Sequence, residues 1–248
     1  SRKQDLFVDF KGKSTLGEWY FTALSSILGL ASAQQQIVDG SPINAGAVSY
    51  LRSILAACPV GYCRSQALHE NTGFYARAFI HGQSAVYVGY SETIYYALRE
   101  AADNCLPTSN CLSEREIAVR ALPVFSLDRI APAVGWVDAF AIDAKLAGRK
   151  KDLAIDFAKF ATSEAAYQSI LTPEWPYKSR YLLPARIGLT IKDAPLYEQF
   201  LKAHSGRGTG TLLHLNVRLR DIANKVTCEL PIDRDDTDTQ EACRAVVK

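Results

Sequence analysis

The chain has 248 residues, of which 48% are hydrophobic and 22% are charged, and its formal net charge is +2. This composition is typical of a globular protein with a sizeable core, and the small charge gives no support to a broad nucleic-acid or anionic-membrane partner. No apolar run reaches the roughly 20 residues that a membrane-spanning helix needs. We therefore expect a globular protein that neither binds nucleic acid nor crosses a membrane.

Strand-like and helix-like patterns alternate in the first half of the chain. Short apolar runs predict two strands, over 5–10 and 84–90. Helical spacing of apolar residues predicts three helices, over 15–30, 45–58 and 73–81. A fourth helix is predicted directly after the second strand and ends at residue 103. Ser14 is a suitable N-cap for the first of these helices, and Gly82 follows the third, as glycine often does at a helix end.

The second half continues the alternation. Two further strands are predicted, over 117–124 and 135–143. Four further helices are predicted, over 151–161, 163–171, 194–204 and 214–226, with Ser163 as an N-cap. The acidic segment over 231–244 is expected at the surface. Such an alternation favours an α/β protein with helices packed on sheets.

Six cysteines fall in close pairs along the chain: Cys58 and Cys63, Cys105 and Cys111, Cys228 and Cys243. Each pair flanks a turn-like sequence, which favours three local disulfides and an extracellular or secreted location. The alternative is a set of free, buried cysteines in a cytosolic protein. Zinc is less supported because no paired C-x-x-C is present, so we expect neither a metal nor a cofactor.

Glu92 stands where the second predicted strand passes into a helix, in the sequence VGYSETIYYAL. Open α/β sheets often present groups to ligands at this kind of corner. Tyrosines surround the position, and a carboxylate desolvated among aromatic rings can serve as a general base. The alternative is a glutamate in the first turn of a helix that Ser91 caps.

Asp138 lies inside the apolar run GWVDAFAID. A carboxylate in such a run needs a cationic partner, a strand end or a wet cleft, because burying it unpaired is unfavourable. Trp136 shares its face under strand alternation, and an aromatic ring beside an anion suits a flat cationic ligand. The alternative is a solvated aspartate on an edge strand.

The sequence indicates no nucleophilic cysteine, because three local disulfides would account for all six sulfur atoms. His69 and His81 lie near Cys63 along the chain, which is only a weak indication of a Cys–His pair. Local patterns therefore suggest a ligand site more strongly than a covalent reaction.

Three segments taken together resemble a known family: 73–98, 135–143 and 156–186. The last contains DFAKFATSEAAYQSIL and RYLLPAR and is similar to the closing part of extracellular solute-binding proteins of the periplasmic type II class. The first two contain GYSE and GWVD and are closer to the bacterial thiaminase I (thiamine pyridinylase) family, a branch of that fold. The resemblance covers about residues 5–226.

This resemblance implies an α/β, periplasmic-binding-protein type II-like fold, with two lobes, a ligand cleft between them and an incomplete first lobe in this chain. Residues 1–130 would be mainly a second-lobe segment that includes the GYSE corner. Residues 131–226 would be a return segment with the GWVD strand and packing helices, and 227–248 a disulfide-tethered tail.

The same resemblance implies a small-molecule ligand, thiamine or a similar flat aromatic cation, in the cleft. It implies Glu92 as the general base, with Tyr90 and Asp138 lining the site. It also implies Trp136 and Tyr75 as aromatic residues of the lining.

The chain departs from the family at its beginning. The nucleophilic cysteine of the family lies in a stretch that would precede Ser1, and Cys58 and Cys63 fall in a different segment. The chain also contains no methionine and begins abruptly. We therefore expect a processed or truncated chain, whose partner is a companion N-terminal segment or chain of the same precursor.

Two kinds of function follow from these patterns. One is a secreted thiaminase-I-like protein, in which a cysteine of the companion segment attacks the pyrimidine and displaces the thiazolium. Glu92 would then take up the thiol proton, while Asp138 would hold the aminopyrimidine by charge-assisted hydrogen bonds. The alternative is a non-catalytic extracellular small-molecule-binding protein or a structural, matrix protein on the same scaffold.

Overall fold

A computed structural model of the chain describes a set of segments separated by gaps: 5–10, 12, 15–59, 61–106, 108–122, 140–172, 180–182, 189, 191, 195–204, 216–233 and 236–246. Two short strands are found in them, β1 (Leu6–Val8) and β2 (Val86–Val88). The α-helices are α1 (Leu16–Leu28), α2 (Leu30–Val38), α3 (Ala45–Ala56), α4 (Gln66–Glu70), α5 (Phe74–Ile80), α6 (Thr93–Asn104), α7 (Gly148–Ala161), α8 (Glu164–Leu171), α9 (Pro195–His204), α10 (Asn216–Glu229) and α11 (Thr237–Val246).

The protein is therefore mostly helical, and the predicted α/β fold of the periplasmic-binding-protein type II kind, with two lobes and a ligand cleft, is wrong. The sheet within the described residues consists of β1 and β2 alone. Residues 117–122 of one predicted strand form no strand, and the backbone N–H of Val119 donates instead to the Gln199 side-chain oxygen at 3.0 Å. Residues 140–143 of another predicted strand form no strand, and its remainder lies outside the described residues.

The strands β1 and β2 are parallel, and Phe7 is paired with Tyr87. The ladder continues one step further, since the N–H of Asp9 donates to the carbonyl of Val88 at 2.8 Å. Because parallel strands end at the same edge, Asp9 and Tyr90 leave the pair side by side. The chain then enters α1 after the first strand and α6 after the second.

Local signals in the sequence account for several helices. Asn44 caps α3 by accepting a hydrogen bond from the N–H of Ala47 at 3.1 Å, and Ser163 caps α8 by accepting from Ala166 at 3.2 Å. The helices predicted over 45–58 and 163–171 are confirmed for this reason. The helix predicted over 15–30 ends earlier, because Gly29 adopts a positive φ of 84° and separates α1 from α2.

The main hydrophobic core combines the beginning and the end of the chain. Strand β1 and helices α1 and α3 contribute large buried side chains such as Phe7, Leu24 and Leu51. Helix α10 and the turn after it add Val226 and Leu230. A second cluster, around Leu98, Leu171, Tyr181 and Tyr197, joins α6, α8 and α9. Residues separated by more than a hundred positions thus share one core.

Helix α7 lies at the periphery, and no residue along it is buried. Its apolar side chains are exposed to an unusual extent, with 58% exposure at Leu153, 59% at Phe157 and 68% at Phe160. The apolar spacing that predicts this helix therefore does not mark a core-facing stripe.

The six cysteines form three local disulfides, Cys58–Cys63, Cys105–Cys111 and Cys228–Cys243. The first closes the turn between α3 and α4, the second follows α6, and the third ties α11 to α10. Three disulfides are consistent with a secreted protein. Among the described helices, none has the length and apolar character required to cross a membrane.

Gly17 permits close packing of α1 against α10, because a Cβ atom at this position would collide with the backbone carbonyl of Leu219. We expect Gly17→Ala to force the two helices apart and to lower the free energy of unfolding by about 1–3 kcal/mol. Urea denaturation measures this change. The matched control is Gly46→Ala in α3, where the nearest atoms are the ends of the Asn44 and Ile27 side chains. A Gly17→Ala protein as stable as the Gly46→Ala control would contradict the packing described.

Candidate functional site

A cluster of polar and aromatic side chains lies at the carboxyl ends of β1 and β2. Asp9 follows the first strand, and Tyr90 follows the second. Glu18, in the first turn of α1, and Thr93, at the start of α6, complete the polar part. This edge of a parallel pair, where helices begin, is a common location for ligand-binding groups. We call these residues, with Tyr87, the strand-end cluster.

Two carboxylates of the strand-end cluster are buried. Asp9 is 1% exposed and Glu18 is 5% exposed. The Tyr90 hydroxyl donates a hydrogen bond to Glu18 Oε2 at 2.9 Å. The Tyr87 hydroxyl lies 3.3 Å from Asp9 Oδ2 and 2.7 Å from Thr93 Oγ1. Each buried carboxylate is thus paired with a phenol, which satisfies part of its hydrogen-bonding capacity.

Aromatic rings line the same region. Trp19 meets Tyr90 edge to face, with ring centroids 6.0 Å apart, and meets Phe10 in the same manner at 5.2 Å. The indole Nε1 of Trp19 is buried and has no hydrogen-bond partner among the described residues. Because buried polar groups are nearly always satisfied, this N–H is a donor open to a further acceptor.

His69 closes the cluster on the side of the core. It is 1% exposed, its Nδ1 accepts from the N–H of Phe10 at 3.2 Å, and its Nε2 lies 3.0 Å from the carbonyl of Cys63. This geometry fits a neutral imidazole that donates through Nε2. Its Nδ1 lies 3.9 Å from Asp9 Oδ1. His69 therefore connects β1 to the Cys58–Cys63 loop.

Burial raises the pKa of the Tyr87 hydroxyl well above its ordinary value, and the neighbouring Asp9 carboxylate raises it further. Burial likewise raises the pKa of Tyr90, and the charge of Glu18 adds to the effect. Both phenols are therefore neutral hydrogen-bond donors at physiological pH. A neutral donor beside a carboxylate leaves the cluster with a net negative character.

The site residues expected from the sequence have different locations in the structure. Tyr90 belongs to the strand-end cluster. Glu92 is half-buried at the N-cap of α6, two residues further along. Tyr75 is fully buried in the main core, where its hydroxyl donates to the Tyr62 carbonyl at 2.9 Å. Trp136 and Asp138 lie outside the described residues.

Sequence patterns alone did not single out Asp9 and Glu18. Asp9 ends the buried run DLFVDF, and Glu18 lies in LGEWYF, whose side chains are all buried in α1. In both cases the sequence signal for burial is a charged residue whose neighbours along the chain are apolar. Tyr87 carried no comparable signal, since tyrosine is ordinary in a strand.

Comparisons with protein-family models, with curated proteins and with solved structures found no match to this chain. Function is therefore inferred from the residues of the chain and their arrangement.

The raised pKa values of Tyr87 and Tyr90 predict a loss of stability in alkali. The unfolded tyrosines ionise near pH 10, while the folded ones hold their protons to higher pH. The stabilisation is complete below about pH 10 and falls above it, by up to about 1.4 kcal/mol per pH unit for each tyrosine. Urea denaturation between pH 8 and pH 11 measures the slope. We expect a smaller slope in Tyr87→Phe/Tyr90→Phe, and an unchanged slope would contradict the assignment.

Proposed function

We propose that the protein is a secreted binding protein for a flat organic cation of the thiamine kind, which the strand-end cluster holds. The observation that carries this proposal is the pairing of two buried carboxylates, Asp9 and Glu18, with aromatic side chains at one edge of the parallel strands. This location replaces the cleft between two lobes that the family resemblance implied.

The chemistry of the cluster suits such a ligand. Buried carboxylates attract a cation strongly because few water molecules screen them, and they accept hydrogen bonds from an exocyclic amino group. The rings of Trp19 and Tyr90 meet edge to face beside these carboxylates, and aromatic rings add cation–π attraction for a cationic ligand. The buried Nε1 of Trp19 can donate to a ring nitrogen. An aminopyrimidine presents both the donor and the acceptor that these groups need.

The resemblance to thiaminase I supports the same ligand class. The GYSE corner contributes Tyr90 to the cluster, and Glu92 follows it at the start of α6. On this proposal, Glu92 lies beside the ligand, while the roles that the resemblance implies for Trp136 and Asp138 stay predictions, because both lie outside the described residues.

Binding without turnover is the activity we propose for this chain. All six cysteines are joined in disulfides, so none of them is a thiolate nucleophile. Displacement of a thiazolium by thiol attack would require a cysteine from the companion segment. The chain itself would hold the pyrimidine and supply the carboxylates.

Isothermal titration calorimetry with thiamine tests the binding. Glu18→Gln keeps the shape of the side chain and removes its charge, so we expect affinity to fall about tenfold or more. Asp9→Asn should have a similar effect. The matched control is Glu114→Gln, because Glu114 also accepts from a buried tyrosine at 3.4 Å, and that tyrosine, Tyr181, belongs to the second core cluster.

Two results would contradict the binding proposal: no heat of binding with the unmodified protein, or equal affinities for Glu18→Gln and the control. Tetramethylammonium serves as a cation without a ring, and we expect it to compete weakly. Thermal unfolding of each variant, followed by circular dichroism, verifies that the site is tested in folded protein.

A separate assay addresses turnover. Incubation of the protein with thiamine and aniline, a nucleophilic acceptor, should release no thiazole, because the chain has no free thiol. Chromatography of the products measures the release. Cleavage that disappears in Glu92→Gln would overturn the non-catalytic assignment and favour the enzymatic one.

A further inference from the structure

A cavity of about 770 Å³ opens at the other edge of the strand pair, near the amino ends of β1 and β2. Its lining includes Asp5, which precedes β1, and Gln83, which precedes β2. Two disulfide loops form further walls, through Tyr62 in one and Asn110 and Cys111 in the other. The cavity is thus distinct from the strand-end cluster.

His81 and Cys111 line this cavity, and the carboxylate of Glu100 contacts the His81 imidazole. Cys111 Sγ lies 3.3 Å from His81 Nδ1, and His81 Nε2 lies 2.8 Å from Glu100 Oε1. Cys111 is bonded to Cys105, and the ligating atoms of these two cysteines and His81 all lie within 4.8 Å of one another. The sulfur atoms are bonded to each other, so the group is a disulfide with a histidine beside it rather than a set of thiolate metal ligands.

The fold holds the three groups in this arrangement. His81 ends α5, and the N–H of Leu112 donates to the Ile80 carbonyl at 2.8 Å, which fixes the loop of Cys111 against that helix end. Glu100 lies on α6 and accepts a second hydrogen bond from Asn104 at 3.0 Å. Although partial burial opposes ionisation, the hydrogen bonds from His81 and Asn104 lower the pKa of Glu100. An ionised Glu100 accepts a hydrogen bond from His81 Nε2–H and so orients the imidazole with Nδ1 towards Cys111 Sγ.

We propose that Cys105–Cys111 is an exchange-active disulfide and that its co-reactant is a low-molecular-weight thiol that enters the cavity. The thiolate attacks Cys105 Sγ and forms a mixed disulfide, while the bond between Cys105 and Cys111 breaks. Cys111 leaves with the electron pair as a thiolate, and His81 stabilises it by donating the proton that Nδ1 takes from the entering thiol. One thiolate is consumed and one is produced, so the step needs no external oxidant.

The other two disulfides lack these features. Cys58 is 6% exposed and Cys63 is fully buried, so a thiolate has no line of approach to either sulfur. Cys228 is half-buried, and its sulfur lies 3.2 Å from the carbonyl oxygen of Asn224. A carbonyl oxygen repels a developing thiolate, whereas an N–H group at His81 Nδ1 stabilises it by a hydrogen bond. Cys228–Cys243 is therefore a control within the same protein. Its exposure is similar to that of Cys105–Cys111, but the group beside its sulfur atom disfavours a thiolate.

The test measures how fast each bridge opens in the intact, oxidised protein. Samples are incubated with reduced glutathione, quenched with N-ethylmaleimide and digested, and the labelled cysteines are quantified by mass spectrometry. We expect Cys105–Cys111 to open at least about tenfold faster than Cys228–Cys243. Equal rates for the two bridges would overturn the proposal.

Substitutions identify the groups responsible. His81→Gln should slow the opening of Cys105–Cys111 about tenfold and leave the rate at Cys228–Cys243 unchanged. Glu100 is a positioning residue, so Glu100→Gln should slow the same bridge and Glu100→Asp should restore part of the rate.

The control substitution is His204→Gln on α9, in a different part of the chain, which should change neither rate. A His81→Gln protein that opens at the original rate, with an unchanged melting temperature, would overturn the role of the histidine. The measurement requires no thiamine, so its outcome is independent of the function proposed for the strand-end cluster.

Discussion

The parallel pairing of β1 and β2 is the constraint on which the rest of the structure depends. Two strands of three residues form too small a sheet to be stable alone, so the helices packed around them must supply the burial that holds them in register. In return, the pairing brings Val8 next to Val88, across 80 positions of the chain. One edge of the pair carries buried carboxylates and phenols, and the other opens into a cavity beside a disulfide.

The buried carboxylates accept hydrogen bonds from the hydroxyl groups of the neighbouring tyrosines, and phenylalanine has no such group. Asp9 and Glu18 have been removed from water, and a phenol hydroxyl beside each compensates for part of the lost hydration. The pairing also couples β2 to β1 and α1, since Tyr87 and Tyr90 come from the second strand and its end. The two tyrosines therefore join elements of the fold, while the carboxylates of Asp9 and Glu18 give the proposed site its acidic character.

Features determined by neighbours in sequence could be predicted, and features determined by distant partners could not. The caps at Asn44 and Ser163 and the three local disulfides needed only nearby residues. The sequence predicts more strands than the described residues contain. Alternation of apolar and polar residues over 117–122 does not reveal that the Val119 N–H donates to a glutamine side chain rather than to a strand. The resemblance names Tyr90 as a lining residue, and this role stays a prediction. Helical spacing alone does not single out Glu18, because it does not reveal that all sides of this turn of α1 are covered.

The contribution of α10 to the main core has a consequence for how the protein is made. Val226 and Leu230 complete a core whose other members lie mostly between residues 7 and 78. At a synthesis rate of about 5–20 residues per second, these early residues wait on the order of ten seconds for the helix that covers them. During that interval apolar side chains of α1 and α3 face solvent on the nascent chain, so holding chaperones have a binding surface until α10 has emerged.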